Sequence, residues 1–381
     1  MRDLRTQVES YAELLDSSTP PLEELFDHVD VAPPPVAARR VRPVRRPLVV
    51  AVGVAAAVVF AVGGLFYLGR GPTPEQAPAA PAVPESLTVD VLGSAPAITA
   101  ESLGTDFVSS GGAVVADGTI HLFMVAHGEG KESTVRHATS PDGEGWSITP
   151  EPLLQGKETP YGIGFIYVDS AAIMPNGDWA IYFEVLISKE NVVTNEPYVT
   201  VIGRATAPGP TGPWQVDPEP VLTPGEPGTW NGLRVGDASV VTHDGTVYMA
   251  FTGVDAAERG AIGWATSSDG VNWDVSTGPV IAASEDWHDG VVIRPDLVRF
   301  NDTWLMAYSG RSRNWRGLAT SSNGLSWTKS PTEPVVSIAY LTRPQIRTTE
   351  LVALEERLLL LVENGGPRTG SEITVLELKG Y

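Results

Sequence analysis

Short apolar segments alternate with turn residues through the second half of the chain, and the pattern repeats. Each unit begins with an apolar segment, passes through a tight turn and returns as a second apolar segment. The turns are Asp117-Gly118, Asn176-Gly177, Asp244-Gly245 and Asn301-Asp302. These dipeptides tolerate the positive φ that two-residue hairpin turns require. The pattern therefore predicts a series of β-hairpins.

A second motif follows each hairpin: Ala-Thr, a pair of small residues, a turn and a Trp. The motif ends at Trp146, Trp214, Trp273 and Trp327, which lie 68, 59 and 54 positions apart. A repeat of this length, built of short strands that cannot bury their apolar faces alone, is typical of a radial array of sheets. Residues 87–381 hold about five such units. We predict an all-β fold, a five-bladed β-propeller.

The fifth unit is irregular because it lacks the Trp motif. We expect residues 87–104 to supply its missing outer strand, which would close the ring and remove exposed sheet edges. The motif Trp residues are predicted to pack between blades. Asp142, Asp269 and Asn323, at the motif turns, are predicted to form those turns rather than to take part in chemistry.

Residues 47–69 carry no charge over 23 positions. That length crosses a hydrocarbon core of about 30 Å at about 1.5 Å per residue. Five Arg lie within residues 39–46, whereas only Arg70 follows closely. This asymmetry predicts a single-pass transmembrane helix with a cytoplasmic N-terminus and everything later outside the cell membrane. The alternative is a buried core helix. The segment is too long, and starts too far into the chain, for a signal peptide.

The remaining organisation follows from composition. Residues 1–46 are predicted to be a cytoplasmic tail, with a short amphipathic helix over residues 1–15. Residues 70–86 are rich in Pro and Ala and are predicted to be an extended linker. The propeller domain is predicted to occupy residues 87–381.

Charge and cysteine content restrict the partners. Residues 1–70 hold 8 basic and 8 acidic side chains, so the entire net charge of −20 lies beyond them. Such a domain is repelled by nucleic acid and by anionic lipid, and suits a neutral glycan or a basic ligand. The chain has no Cys, which excludes disulfides and thiolate metal sites. The six His show no metal-ligand spacing, so neither a metal nor a cofactor is predicted. The oligomeric state stays open.

A polar residue seven positions before each turn, a middle strand and the motif Ala-Thr-Ser-x-Asp-Gly-x-x-Trp together resemble the five-bladed propeller glycoside hydrolases. These are the arabinanase, xylosidase, levansucrase and invertase families, with the mannoside phosphorylases. The sialidase Asp box is a close rival, but the span from Asp142 to Trp146 is one residue too short for it, and sialidases have six units. The resemblance implies a possible enzyme that cleaves glycosidic bonds with paired carboxylates at the propeller axis.

Positions that match the resemblance supply the candidate catalytic residues. Counting back seven residues from the turns gives Ser110, Asp169, Asp237 and Arg294. The resemblance implies that Asp169 orients substrate and tunes the proton donor, whose position is held by Asp237. The first unit has a serine where those families have a carboxylate. Asp106, four residues earlier, is the nearest carboxylate and the candidate base.

The candidate substrate-binding residues come from the same strands and from the loops before them. Arg294 and Arg343 head two inner strands and resemble the Arg-Pro strands of the phosphorylase-like branch, which hold a sugar or phosphate. Asp296 shares the strand face of Arg294. Trp230 and Trp287 each lie seven residues before an inner-strand head, where aromatic rings could stack on sugars. With these we group Ser110, and as secondary candidates Tyr161, Tyr340, His127, His288, Asp289 and Glu184.

Each candidate has a structural alternative. Inner-strand Asp and Arg side chains can neutralise each other across a wet channel, and loop aromatics can act as hydrophobic wedges. The corresponding functional alternative is a non-catalytic propeller that binds a cell-envelope glycan or a protein partner.

Overall fold

A computed structural model of the protein describes residues 87–380, except 94–95, 128–132, 163–165, 188–198, 313, 331–334, 342, 344 and 367–369. The predicted tail, transmembrane helix and linker, residues 1–86, lie outside the described residues. Within the described part, no helix has the length and apolar character needed to span a bilayer.

The described residues form antiparallel sheets arranged as five blades. The chain enters with two short strands, β1 (Thr88–Val91) and β2 (Ile98–Thr99). Blade I contains β3 (Phe107–Ala116), β4 (Thr119–His127), β5 (Thr134–Ser140), β6 (Ser147–Ile148) and β7 (Leu154–Gln155). Blade II contains β8 (Ile166–Ile173), β9 (Trp179–Leu186), β10 (Thr200–Ala207) and β11 (Gln215–Val216).

The last three blades follow in chain order. Blade III contains β12 (Arg234–His243), β13 (Thr246–Val254), β14 (Gly260–Ser267) and β15 (Asp274–Val275). Blade IV contains β16 (Ile293–Phe300), β17 (Thr303–Ser309), β18 (Trp315–Ser321), β19 (Thr328–Lys329) and β20 (Val336–Ser337). Blade V contains β21 (Ile346–Leu354), β22 (Arg357–Gly366) and β23 (Gly370–Lys379). Short 3-10 helices span Glu101–Leu103, Gly156–Glu158, Asp286–His288 and Ile338–Tyr340.

The first strand closes the ring. β1 pairs with β23 from Thr88 opposite Lys379 to Val91 opposite Leu376, and β2 pairs with the start of the same strand. An ion pair of 2.7 Å between Lys379 Nζ and Asp90 Oδ2 supports this edge. The five-bladed propeller and its closure by the N-terminal strand are confirmed. Because the ring is closed, every blade packs against another blade on each side.

The hydrophobic core lies between the blades. Apolar side chains of one blade meet those of the next, as where Leu122 and Ile120 of blade I join Leu359 and Leu361 of blade V. The middle strand of each blade is covered on both faces, so β4, β9, β13, β17 and β22 are buried along most of their length. This double burial explains why these strands are almost continuously apolar.

The repeated Trp motif joins each blade to the one before it. Trp214 packs on Phe123, Trp273 on Tyr182 and Trp327 on Trp264, with ring centroids 5.5–6.2 Å apart. In the turns, one side-chain oxygen accepts two backbone N–H groups. The acceptors are Asp142, Asp269 and Asn323. The predicted packing and turn-forming roles are both confirmed.

Every inner strand is interrupted by a β-bulge at the same height. The register shifts fall at Gly111-Gly112, Asp169, Asp237-Ala238, Arg294-Pro295 and Arg347-Thr348. A bulge leaves its extra residue out of the ladder and re-aims the side chain. The bulges therefore present one residue or pair from each blade toward the axis.

Below the bulges, the inner strands are tied to one another by side chains that accept a backbone N–H from the next blade. Ser170 Oγ accepts from Val240, Ser239 Oγ from Leu297, and Glu350 Oε1 from Ala113, at 2.8–2.9 Å. Between blades I and II the backbones themselves meet. A Cβ atom on Gly112 would lie 2.0 Å from the nitrogen of Ala171.

Replacing Gly112 by alanine should destabilise the propeller by about 1–3 kcal/mol, because the methyl group collides with backbone that cannot rotate away. The free energy of unfolding in urea measures the effect. Gly209→Ala is the matched control, since a Cβ there meets nothing within 4 Å, and it should change stability by less than about 0.5 kcal/mol. Equal stabilities of the two variants would contradict the close approach of blades I and II.

Candidate active site at the propeller axis

The bulges enclose a cavity of about 130 Å³ at the axis. All five blades contribute to its wall: Phe107, Ser109, Tyr167, Val168, Asp169, Glu184, Thr200, Arg234, Gly236, Asp237, Thr252, Val254, Ile293, Arg294, Arg347, Thr348 and Glu363. At ~30 Å³ per molecule, it has room for about four water molecules. Four carboxyl groups and three guanidinium groups face this small space.

Three of the carboxyl groups converge on the bulge of β12. Asp237 is part of that bulge. Asp169, from the bulge of β8, accepts the N–H of Ala238 at 3.4 Å. Glu184 reaches in from the middle strand β9, and a Cβ on Gly236 would lie 1.9 Å from its Oε2. Only glycine at position 236 leaves room for the Glu184 carboxyl.

Two of these carboxyl groups have pKa values raised above those of ordinary glutamate and aspartate side chains. Burial, with repulsion from Asp237, raises the pKa of Glu184 to about 8, although Arg234 and Arg294 partly offset the rise. Burial, with repulsion from Glu184 and Asp237, raises the pKa of Asp169 well above its ordinary value. At neutral pH Glu184 is therefore protonated next to Asp237, and the pKa of Asp169 is shifted in the same direction.

Arginine side chains line the part of the cavity wall that blades IV and V form. Arg294 Nε lies 3.5 Å from Asp237 Oδ1, and Arg294 Nη1 donates to the Arg347 carbonyl at 2.6 Å. Arg347 Nε lies 3.3 Å from Glu363 Oε1. The second oxygen of Glu363 accepts hydrogen bonds from Ser109 at 2.6 Å and from Thr348 at 2.7 Å. The Glu363 carboxylate thus links blade V to blade I.

Two of the bulge residues adopt left-handed backbone conformations. Asp237 has φ of 46° and Arg294 has φ of 56°. Such conformations are unfavourable for residues with a Cβ and persist where surrounding structure enforces them, commonly at functional sites. The pair that forms the ion pair is therefore held in place by its backbone.

The structure brings Asp169, Asp237 and Arg294 together, as the spacing from the turns predicted. Asp106 is not brought to them. It is exposed, before the start of β3, and does not line the cavity. Ser110 is buried and bonds Thr348 Oγ1 at 2.7 Å, whereas its neighbour Ser109 faces the cavity. Because the bulge of blade I is Gly111-Gly112, no acidic side chain projects there.

The other predicted polar residues lie outside the cavity lining. Arg343 pairs with Glu372 at 3.1 Å. The fifth inner strand turns at Glu355-Glu356, and counting back seven residues from Glu355 reaches Thr348, so Arg343 is not its equivalent. Asp296 is buried below the cavity, 3% exposed. Burial raises the pKa of Asp296 well above its ordinary value.

Trp230 and Trp287 also lie outside the cavity lining and pack as wedges within their blades. Trp230 covers Phe251 with ring centroids 5.6 Å apart, and its indole fills the space above Gly253 and Gly263. Trp287 stacks on Tyr308 at 5.9 Å. Tyr161 repeats the arrangement over Gly203 in blade II. The structural alternative for these aromatic residues is the one that the structure supports.

The secondary candidates fall into two groups, those that lie outside the cavity lining and those that contribute to it. His288 is buried, and its Nδ1 accepts the N–H groups of Ser284 and Glu285, while Asp289 is exposed beside Arg311. Both lie outside the cavity lining, as does His127, which packs on Phe107. Glu184 lines the cavity. So do Arg234, Arg347, Thr348 and Glu363, which the spacing from the turns did not single out. A signal for the two glutamates existed, because each interrupts a continuously apolar middle strand.

Comparisons with known proteins agree with the architecture. No protein-family model matches the sequence, and no curated protein matches it. Solved structures do match. A thermostable family-43 glycoside hydrolase aligns at 16% identity and TM-score 0.56, over 73% of this chain and 95% of its own. A sucrose-6-phosphate hydrolase from Lactobacillus gasseri aligns at 16% identity and TM-score 0.57, over 72% and 59%.

A family 117 glycoside hydrolase from Zobellia galactanivorans aligns at 11% identity and TM-score 0.57, over 77% of this chain and 90% of its own. At such identities the similarity establishes the fold. The chain shares its five-bladed propeller fold with these solved structures. Activity has to be argued from the site itself.

The raised pKa of Glu184 should make the protein less stable as pH rises. The folded state keeps this proton up to about pH 8, whereas the unfolded chain releases it near the ordinary glutamate pKa of 4.5. Stability therefore falls as pH increases through that window. Glu184→Gln should reduce the fall, measured by urea unfolding between about pH 5 and pH 8. Glu356→Gln, in an exposed turn, should leave the slope unchanged. Identical slopes in wild type and Glu184→Gln would contradict the assignment.

Proposed function

We propose that this protein hydrolyses glycosidic bonds in its axial cavity. The observation that carries the proposal is the convergence of Asp169, Glu184 and Asp237 on one small cavity, with proton-bearing carboxyl groups beside an ion-paired carboxylate. Glycoside hydrolysis needs both forms together: an acid that protonates the leaving oxygen and a carboxylate that acts on the other side of the bond. The fold shared with solved glycoside hydrolase structures supports the same proposal.

Glu184 is the proposed proton donor. Its pKa of about 8 keeps it protonated at neutral pH yet close enough to neutrality to release the proton during reaction. The proton passes to the glycosidic oxygen as the bond from the anomeric carbon to that oxygen breaks. Gly236 and the β12 bulge hold the donor in position.

Asp237 is the proposed carboxylate partner. Its ion pair with Arg294 holds it at the cavity wall, and a carboxylate there can accept a proton from the attacking water as the water oxygen bonds to the anomeric carbon. The Asp169 carboxyl group interacts electrostatically with both Glu184 and Asp237. We assign Asp169 the role that the family resemblance implies for its position in the second blade, which is to orient the substrate and tune the proton donor.

The proposed location is the outer face of the cell membrane, with residues 47–69 as the anchor and residues 1–46 in the cytoplasm. The support is the 23-residue uncharged segment with its preceding Arg cluster. A propeller anchored in this way would meet carbohydrates of the cell envelope.

A second candidate function is binding without catalysis, to a cell-envelope glycan or a protein partner. The observation that favours it is the Gly111-Gly112 bulge, which gives blade I no carboxylate in the cavity. In this case the carboxyl and guanidinium groups would only hold the ligand.

The enzyme proposal is tested by Glu184→Gln and Asp237→Asn in the full-length protein purified in detergent. Each variant keeps the size of the side chain but removes the transferable proton or the charge. Hydrolysis of the best substrate in a broad glycoside panel should fall by ~10²–10⁴, the usual contribution of acid–base catalysis.

Asp142→Asn is the matched control. Asn323 already forms the equivalent turn in blade IV, so this change should preserve both fold and activity. Full activity in both site variants would rule out the proposed roles. Glycan binding without turnover of any glycoside by the wild-type protein would favour the second candidate.

The membrane topology is tested by protease treatment of intact cells. An epitope within the propeller should be lost, and an epitope on residues 1–46 should be protected, because the positive side of a membrane span stays in the cytoplasm. Protection of the propeller epitope would contradict the proposed location.

A further inference from the structure

We propose that the axial cavity recognises a sugar bearing an anionic group, a carboxylate or a phosphate, through Arg294 and Arg347 with support from Arg234. This inference rests on the proposed function only in taking the ligand to be a sugar. It defines the substrate class more narrowly than the glycosidase proposal does.

The first support is the distribution of basic residues. The chain beyond residue 70 contains 18 basic and 38 acidic side chains. Even so, three arginines from successive blades face one cavity: Arg234 at the start of β12, Arg294 in the bulge of β16 and Arg347 in the bulge of β21. Such a concentration in an acidic protein produces a local field that differs from that of the surface.

The second support is an unsatisfied donor. Arg347 is 8% exposed. Its Nε faces Glu363, and its guanidinium lies over the Phe107 ring at 5.0 Å. Its Nη1 is buried and has no hydrogen-bond partner among the described residues. A buried charged donor is costly to leave without an acceptor. An anionic oxygen in the cavity is the acceptor that this group requires.

The third support is the balance of charge. Burial raises the pKa of Glu184 to about 8 and the pKa of Asp169 well above its ordinary value. The three guanidinium groups therefore share the cavity with carboxyl groups whose negative charge burial disfavours. Buried charge is stabilised by a partner of opposite sign, so a ligand with a single negative charge would complete the site.

The geometry suits Arg294 and Arg347 acting together. The Nη1 of Arg294 donates to the backbone carbonyl of Arg347, so the Arg294 side chain lies against the bulge that carries Arg347, and both residues line the cavity. Guanidinium groups bind carboxylate and phosphate oxygens with paired, charge-assisted hydrogen bonds. A neutral sugar hydroxyl gives a weaker bond to the same donors.

The test is calorimetric binding to the full-length protein in detergent. The probes are glucuronic acid, its neutral methyl ester, glucose, glucose 6-phosphate and inorganic phosphate. Glucuronic acid should bind ~10–100-fold more tightly than its methyl ester, the range expected for one or two charge-assisted hydrogen bonds. Preference for glucose 6-phosphate and inorganic phosphate would identify phosphate as the anionic group, and preference for glucuronic acid over the ester would identify carboxylate.

Arg347→Gln and Arg294→Gln should each remove most of this preference. Arg347→Lys guards against misfolding of the glutamine variant, since it retains a charge beside Glu363 but loses the paired donors. It should still lower the preference. Arg311→Gln is the control, because Arg311 pairs with exposed Asp289 outside the cavity lining.

Equal affinity for glucuronic acid and its ester, together with no preference for the phosphate probes, would overturn the inference, and so would failure to bind any probe. Persistence of the preference in all the Arg294 and Arg347 variants would also overturn it. Hydrolysis of neutral glycosides with no anion preference would leave the glycosidase proposal standing alone. Anion-dependent binding without hydrolysis would support this inference and count against the glycosidase proposal.

Discussion

The close approach of the five inner strands around one axis is the constraint on which the rest of this structure depends. Between blades I and II it leaves no room for a side chain, as Gly112 shows. Elsewhere a serine or carboxyl side chain spans the gap and accepts a backbone N–H. Strands packed this tightly cannot continue straight past the axis. The bulge in each inner strand relieves the crowding, and in blades II to V it also delivers a polar residue to the cavity.

The same crowding sets the chemistry of the carboxyl groups. Glu184 lies against the backbone of Gly236, and Asp169 against the N–H of Ala238, so neither is surrounded by bulk water. Low local polarity favours their neutral forms. Asp237 differs because a left-handed backbone turns it toward Arg294. Neighbouring carboxyl groups thus lie in different surroundings within one site, which is how acid and base functions can be divided between them.

Most of the architecture could be predicted from the sequence, because the repeated turns and Trp motifs have local causes. Asp142 and Trp146 work within one turn, and their spacing is visible in the chain. Only some of the residues that line the site could be predicted from the sequence. Asp169, Asp237 and Arg294 follow from their distance to a turn. Blade V turns at Glu355-Glu356, which is not a typical hairpin-turn dipeptide, so the same count has no reference point in the sequence. The sequence-based prediction names Arg343, whereas Thr348 holds the equivalent position at the cavity.

The remaining site residues come from positions that strand counting does not reach. Glu184 and Glu363 lie on middle strands, where the pattern predicts burial between blades and gives no direction toward the axis. Trp230 and Trp287 show a second limit of counting along the sequence. Their loop positions suggested a sugar platform, but glycines at 253, 263 and 310 receive the rings or the adjoining backbone inside the blades. Whether a loop aromatic faces outward or wedges inward depends on those distant glycines.

A layered distribution of charge follows from these contacts. Below the cavity, the gap between blades is spanned by Ser170 and Ser239 on one side of the ring and by Glu350 on the other, each accepting a backbone N–H. Burial raises the pKa of Asp296 and of Glu350 well above their ordinary values, and repulsion from Asp296 adds to the rise for Glu350. Burial therefore disfavours negative charge in this layer. Above it, the cavity lining holds three arginines, whose permanent positive charge governs what the cavity can bind.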